Sequence, residues 1–202
     1  MTTPGNEARV SPLAVCIAGA LSLAVAMGIG RFAFTPMLPL MVQEGQIGIA
    51  TAGWVAAANY VGYLLGALSA SRVPLPASRL ALLALALTAV LTAAMALPGP
   101  PWLWMALRLV AGVCSAWAFV STSVWCLGAL ARLGRPAWGN VVYCGVGAGI
   151  AAAGLYCLVG GALSAPAGSL WLQLGLLSLA LSLPVALTLR KMKSARPARQ
   201  HG

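Results

Sequence analysis

Apolar residues run almost unbroken along the chain, interrupted at short intervals by small clusters of Gly, Pro, amide and charged side chains. Six apolar runs result, at 12–40, 50–71, 77–97, 101–130, 136–163 and 168–189. An α-helix rising 1.5 Å per residue crosses a ~30 Å hydrocarbon core in about 20 residues, so each run predicts a membrane-spanning helix. The breaks are Gln43-Glu44-Gly45-Gln46, Arg72-Val73-Pro74-Leu75-Pro76, Pro98-Gly99-Pro100-Pro101, Arg132-Leu133-Gly134-Arg135-Pro136 and Ser164-Ala165-Pro166-Ala167-Gly168. These are short and rich in turn formers, so neighbouring helices are expected to run antiparallel. The predicted fold is all-α and integral to the membrane: a six-helix transmembrane bundle over 12–189, between a cytoplasmic N-tail (1–11) and a basic cytoplasmic tail (190–202).

Composition agrees. Hydrophobic residues make up 61% of the chain and charged ones 7%, against about 25% charged in ordinary soluble domains. Two acidic and twelve basic side chains cannot cover the surface of a soluble fold of 202 residues.

The net charge of +10 raises the question of nucleic acid. Its distribution answers otherwise, because the bases sit between apolar runs rather than in a patch interleaved with aromatics. Arg9 lies in the N-tail, Arg72 and Arg79 at the second connection, and Arg132 and Arg135 at the fourth. Arg190, Lys191, Lys193, Arg196 and Arg199 lie in the C-tail. The first, third and fifth connections hold no Lys or Arg. Positive charge is retained on the cytoplasmic side, so this alternation predicts both termini in the cytoplasm of a bacterial inner membrane. Trp54, Trp102, Trp104, Trp138 and Trp171 lie near helix starts, where an amphipathic ring prefers the interface. Arg9, an apolar stretch and Ala24-Val25-Ala26 imitate a cleaved signal peptide. The apolar pattern continues to Leu40, however, as a retained helix would.

Two bases remain, Arg31 and Arg108, each roughly 10–14 Å below the outer boundary of its helix. No membrane carboxylate is available to either, since Glu44 falls in the first outer loop and Glu7 in the N-tail. Three readings compete. Each guanidinium could hydrogen-bond backbone carbonyls near Gly28, Gly30, Pro36 and Pro39, or snorkel outward. Both could face a central cavity and bind an anionic substrate such as a carboxylate in fork geometry. Or both could pair with acids of a partner.

Polar residues recur on single helix faces nearby. Asn59, Gly62, Tyr63 and Gly66 share one face of the second helix, and Asn140, Tyr143, Cys144 and Gly147 one face of the fifth. Arg108, Gly112, Ser115, Phe119 and Thr122 form a face of the fourth. Polar side chains there must point away from lipid, which makes Asn59, Tyr63, Asn140 and Tyr143 candidate substrate-binding or gating residues beside Arg31 and Arg108. The pairs Gly62/Gly66 and Gly145/Gly149 are small-xxx-small spacings, expected to pack helices together.

Enzyme chemistry is not expected. There is no phosphate-binding loop, no Ser/His/Asp set and no carboxylate pair. Gly145-Val146-Gly147-Ala148-Gly149 follows no strand. The one histidine, His201, is in the tail, and Cys16, Cys114, Cys126, Cys144 and Cys157 all fall inside apolar runs without metal spacing. No cofactor and no metal is predicted.

The stretch Gly28-Ile29-Gly30-Arg31-Phe32-Ala33-Phe34-Thr35-Pro36-Met37-Leu38-Pro39-Leu40-Met41 resembles the first-helix signature of the YbfB/YjiJ-type branch of the major facilitator superfamily. Asn59-Tyr60-Val61-Gly62-Tyr63-Leu64-Leu65-Gly66-Ala67-Leu68 resembles that branch's second helix. Arg108-Leu109-Val110-Ala111-Gly112 is similar to the superfamily's fourth-helix Arg-x-x-x-Gly motif. Two features depart from the superfamily. Gly66-Ala67-Leu68-Ser69-Ala70-Ser71-Arg72 lacks the Asp usual before that Arg, and the fifth helix has no Gly-Pro pair.

The resemblance implies twelve helices in two halves, each half a pair of inverted three-helix repeats. The six runs correspond to the first half, with a second half expected from a truncated remainder, a separate chain or a second copy. It further implies secondary transport of a small solute, with helices 1, 2, 4 and 5 lining the pathway and no membrane carboxylate here for proton coupling. The alternative expectation is a membrane protein that does not transport, either a truncated product or an interaction subunit.

Overall fold

The structure, a computed structural model, describes residues 10–194. Glu7, Arg9, Arg196, Arg199 and His201 therefore lie outside the described residues. Among the described residues the regular structure is entirely helical.

Helix α1 (Pro12–Leu23) begins at Ser11, whose hydroxyl accepts from the Ala14 N–H at 3.2 Å, with Pro12 pre-set for the first turn. The first apolar run does not stay α-helical. From Ala24 to Phe32 it winds as a π-helix, turns at Ala33 and resumes as α2 (Phe34–Gln43). The remaining helices are α3 (Ile49–Ser69), α4 (Ala77–Ala94), α5 (Pro101–Arg132), α6 (Gly139–Ala162) and α7 (Ala167–Ser194). Five segments are long and apolar enough to cross a membrane: Pro12–Gln43, Ala77–Ala94, Pro101–Arg132, Pro136–Ala162 and Ala167–Ser194. Helix α3, which carries Asn59, Tyr60 and Tyr63, has 21 residues and is not among those five.

Four pairings build the bundle: α3 on α5, α4 on α5, α4 on α7, and α6 on α1 with its π-helical continuation. Three of them are close enough to require glycine, α4 on α7 through Gly175 against the Ala93 backbone and two through glycine pairs. A Cβ on Gly62 would lie 1.9 Å from the Leu109 carbonyl oxygen, and one on Gly145 would lie 2.1 Å from that of Ala20. Gly66 and Gly149, one turn further along, meet Val113 and Ala24 in the same way. Both small-residue pairs thus press helix backbones together, the device that membrane helices use where no hydrophobic effect drives association.

The buried apolar side chains fall into two cores. One joins Val15, Leu85, Leu130, Val142 and Val185. The other joins Met37, Met41, Val55, Trp104, Trp171 and Leu174. Arg72, Arg79, Arg132, Arg135, Arg190, Lys191 and Lys193 all lie at or beyond the helix ends around the first core. Glu44 lies at the opposite end, where it accepts from the Ala167 N–H at 2.7 Å and caps α7. Polar side chains also occur within the buried interior: Ser22 and Thr122 share a hydrogen bond of 2.6 Å, and Thr88, Ser115, Asn59 and Arg108 are all buried.

Candidate functional site

The π-helical stretch is where the sequence is least suited to a regular helix. Gly28 and Gly30 weaken it. Pro36 and Pro39 have no N–H to give to the carbonyls one turn back. π-helical insertions are uncommon and gather at functional sites. Here two carbonyls at the end of that stretch find a donor from another helix. Arg108 of α5 is 2% exposed. It donates from one terminal nitrogen to Gly30 O at 2.9 Å and from the other to Arg31 O at 2.6 Å. Its guanidinium carbon stands 5.4 Å from the Phe34 ring centroid. Its own carbonyl accepts from Asn59 Nδ2 of α3 at 2.8 Å. Gly112, one turn along α5, admits the Asn59 backbone, since a Cβ there would lie 2.2 Å from Asn59 O. Three helical segments are thereby tied through one buried arginine.

Arg31 is placed differently. Its side chain is only partly buried and is surrounded by rings. The guanidinium carbon lies 3.9 Å from the Tyr63 centroid, 5.2 Å from Phe32 and 5.3 Å from Tyr60. Cation–π contacts at such distances contribute about 0.5–2 kcal/mol each, more where water is excluded. Its Nε is buried with no partner, as is that of Arg108. Glu44 is the sole acid among the described residues, and both its oxygens are engaged, by Ala167 and by Gln46 Nε2. Neither guanidinium is therefore neutralised by a carboxylate of these residues. Arg31, Phe32, Phe34, Thr35, Ala56, Asn59, Tyr60 and Arg108 line a cleft of about 20 Å³, room for about one water.

The candidates from the fifth helix stand apart from this cleft. Asn140 and Tyr143 are exposed on α6. Tyr143 donates to Ser123 Oγ at 3.0 Å and packs its ring 5.9 Å from that of Phe119. Of the α5 face, Ser115 is buried without a partner and Thr122 bonds Ser22. Sequence reasoning missed the rings: Phe32, Phe34 and Tyr60 all touch a guanidinium. The available signal was their adjacency to Arg31 and Asn59 along the chain, but only the pairing of the helices turns adjacency into contact.

Comparison with known proteins bears on what such a site belongs to. A family model described as "Uncharacterised MFS-type transporter YbfB" matches residues 23–202. The chain belongs to this family. No curated protein and no solved structure matches. As an MFS-type transporter the chain is a multi-pass membrane protein of transport function. The match takes in the π-helical stretch, the Asn59–Leu68 face and Arg108 together. In an MFS-type transporter a charged residue inside the apolar zone is expected to face protein or a water-filled cavity rather than lipid.

Proposed function

We propose that the chain forms one six-helix wall of a transport pathway for a small anionic solute, and that Arg31 is the residue that meets the anion. The reading counts α3 as the sixth span and places both termini in the cytoplasm. The second wall comes from a further six-helix unit, and the two units of three helices within this wall are inverted repeats. Arg31, Tyr63 and Asn59 face the pathway from one side and Asn140 and Tyr143 from the α6 side, with Arg108 holding the end of the π-helical stretch.

One observation carries this reading: a guanidinium inside the apolar zone, stacked on aromatic faces, with no acid from the described residues beside it. Stacking occupies the faces of the guanidinium and leaves its N–H edge for a ligand. That edge matches the two oxygens of a carboxylate. A charge inside the apolar zone with no acid beside it is costly, and an anionic solute relieves the cost only while it is bound. Coupling to protons, if present, draws on the other wall, because the helices described here hold no carboxylate.

The test is a thermal-shift screen of small carboxylates against the purified protein in detergent, followed by Arg31→Gln. A carboxylate that raises the midpoint for the native protein should bind 10–100-fold more weakly to the variant, since a hydrogen bond to a charged group contributes about 1.5–3 kcal/mol. Equal binding by both proteins would refute the assignment of Arg31. The orientation is read separately, by an impermeant thiol reagent on intact cells in a cysteine-free background. Gln46→Cys and Pro166→Cys should label from outside, and Leu75→Cys and Leu133→Cys should not.

A further inference from the structure

We infer that Arg108 is a positioning residue: it donates to the Gly30 and Arg31 carbonyls where the first helix changes winding, and so fixes the turn from which Arg31 is presented. The inference rests on the reading of Arg31 as the anion contact, and it separates two arginines that look alike in sequence.

The geometry is one of supply and demand for N–H groups. In a helix whose rings close at i−4 or i−5, residue 36 would donate to Phe32 O or Arg31 O; a proline there donates to neither. Arg31 O, one of those two, accepts from Arg108 at 2.6 Å, and Gly30 O, outside the reach of residue 36, accepts from the same guanidinium at 2.9 Å. A carbonyl without a donor in an apolar interior is strongly disfavoured. A planar fork with two parallel donors meets two successive carbonyls better than any other side chain could.

Arg108 is unsuited to a direct role with a solute. It is 2% exposed, both terminal nitrogens are engaged, and Phe34 stands over its face. Its backbone is held in turn, because Asn59 donates to its carbonyl. Arg31 has none of these restraints on its terminal nitrogens, and its surroundings are rings rather than acceptors. The carbonyl that Arg108 holds belongs to Arg31 itself. Releasing it alters where the Arg31 side chain points without touching that side chain.

The experiment uses phenylglyoxal, which modifies accessible guanidinium groups, on the intact protein in lipid nanodiscs, with peptide mass spectrometry to read each arginine. In the native protein Arg31 should react and Arg108 should not. Arg108→Met should speed Arg31 modification at least threefold, with helicity unchanged, and Arg108→Lys, which reaches one carbonyl at a time, should fall between. Pro36→Ala restores a backbone N–H that an i−5 ring would give to Arg31 O, so in the Arg108→Met background it should return Arg31 reactivity part of the way to the native rate. A filler of space at position 108 would show no such rescue. If Arg31 reacts at the native rate in Arg108→Lys and Arg108→Met, or if Pro36→Ala has the same effect with and without Arg108, the inference is wrong. It is equally wrong if Arg108 itself is modified in the native protein. Benzoate serves as the probe anion for the reading beneath it. Failure of benzoate and other carboxylates to protect Arg31 would sink the anion site while leaving the dependence of Arg31 on Arg108 measurable.

Discussion

Two seams in the bundle use the same backbone device and carry different loads. Where α3 meets α5, Gly62 and Gly66 lie against Leu109 and Val113. Where α6 meets the first helix, Gly145 and Gly149 lie against Ala20 and Ala24. The α3–α5 seam also holds Asn59 and Arg108, joined at 2.8 Å, and passes that connection on to the π-helical stretch. Around Gly19 the other seam has apolar and thiol neighbours, Val142 and Cys126, of which Cys126 leans on the Val15 carbonyl at 3.5 Å. Close packing alone therefore does not mark a functional seam. Both need glycine to bring backbones together, and only one uses the proximity to carry a polar group across the interface.

The strongest way to probe the shared device is to thicken it. Gly62→Ala and Gly145→Ala each put a methyl group against a backbone oxygen that cannot swing aside. Each should lower the unfolding free energy in detergent by about 1–3 kcal/mol, the usual cost of overpacking. Gly147→Ala, on the same helix as Gly145 but with nothing within 4 Å of its added methyl, should leave the thermal midpoint unchanged or raise it slightly. A loss at Gly147→Ala as large as at the other two would mean that close approach of the backbones does not set the effect.

The polar load separates the seams by a smaller margin. Asn59→Ala removes the hydrogen bond to Arg108 O, and interhelical polar bonds in membranes contribute about 0.6 kcal/mol on average. The loss should be that modest in stability yet should shift Arg31 reactivity toward that of Arg108→Lys. Val142→Ala in the other seam empties part of a buried site and should reduce stability without moving Arg31. Smallest of all is Glu44→Gln. It weakens the capping contact with the Ala167 N–H by about 0.3–1 kcal/mol, and should show as faster amide exchange confined to the first turn of α7.

The sequence made some of this readable and hid the rest for definite reasons. Apolar runs and turn clusters are local properties, and the helical segments and their connections follow from them. Gly62/Gly66 and Gly145/Gly149 announce close packing through spacing alone. The change of winding at Ala24–Phe32 is not visible in that way. A wider turn alters the hydrophobic period by less than one residue, and Gly28, Gly30, Pro36 and Pro39 signal only that a regular helix is weak there. The fate of Arg108 depended on residues 77–78 positions away, a separation over which no local pattern speaks. Of the three readings open to the two arginines, carbonyl pairing describes what Arg108 does in the fold. Arg31, chemically identical and similarly deep, makes no such bond, because the rings of Phe32, Tyr60 and Tyr63 surround it instead.

Adding or removing one residue in an ordinary helix swings everything beyond it by about 100° around the axis, which would turn Gly62 or Gly145 out of its groove. The widened rings of Ala24–Phe32 already accommodate surplus chain. A single-residue deletion inside that stretch can be absorbed by tightening the coil, leaving Ala20 below and Met37 above facing the neighbours they face now. The cost of such a deletion falls instead on the contacts of the stretch itself, where Gly28 meets Gly149.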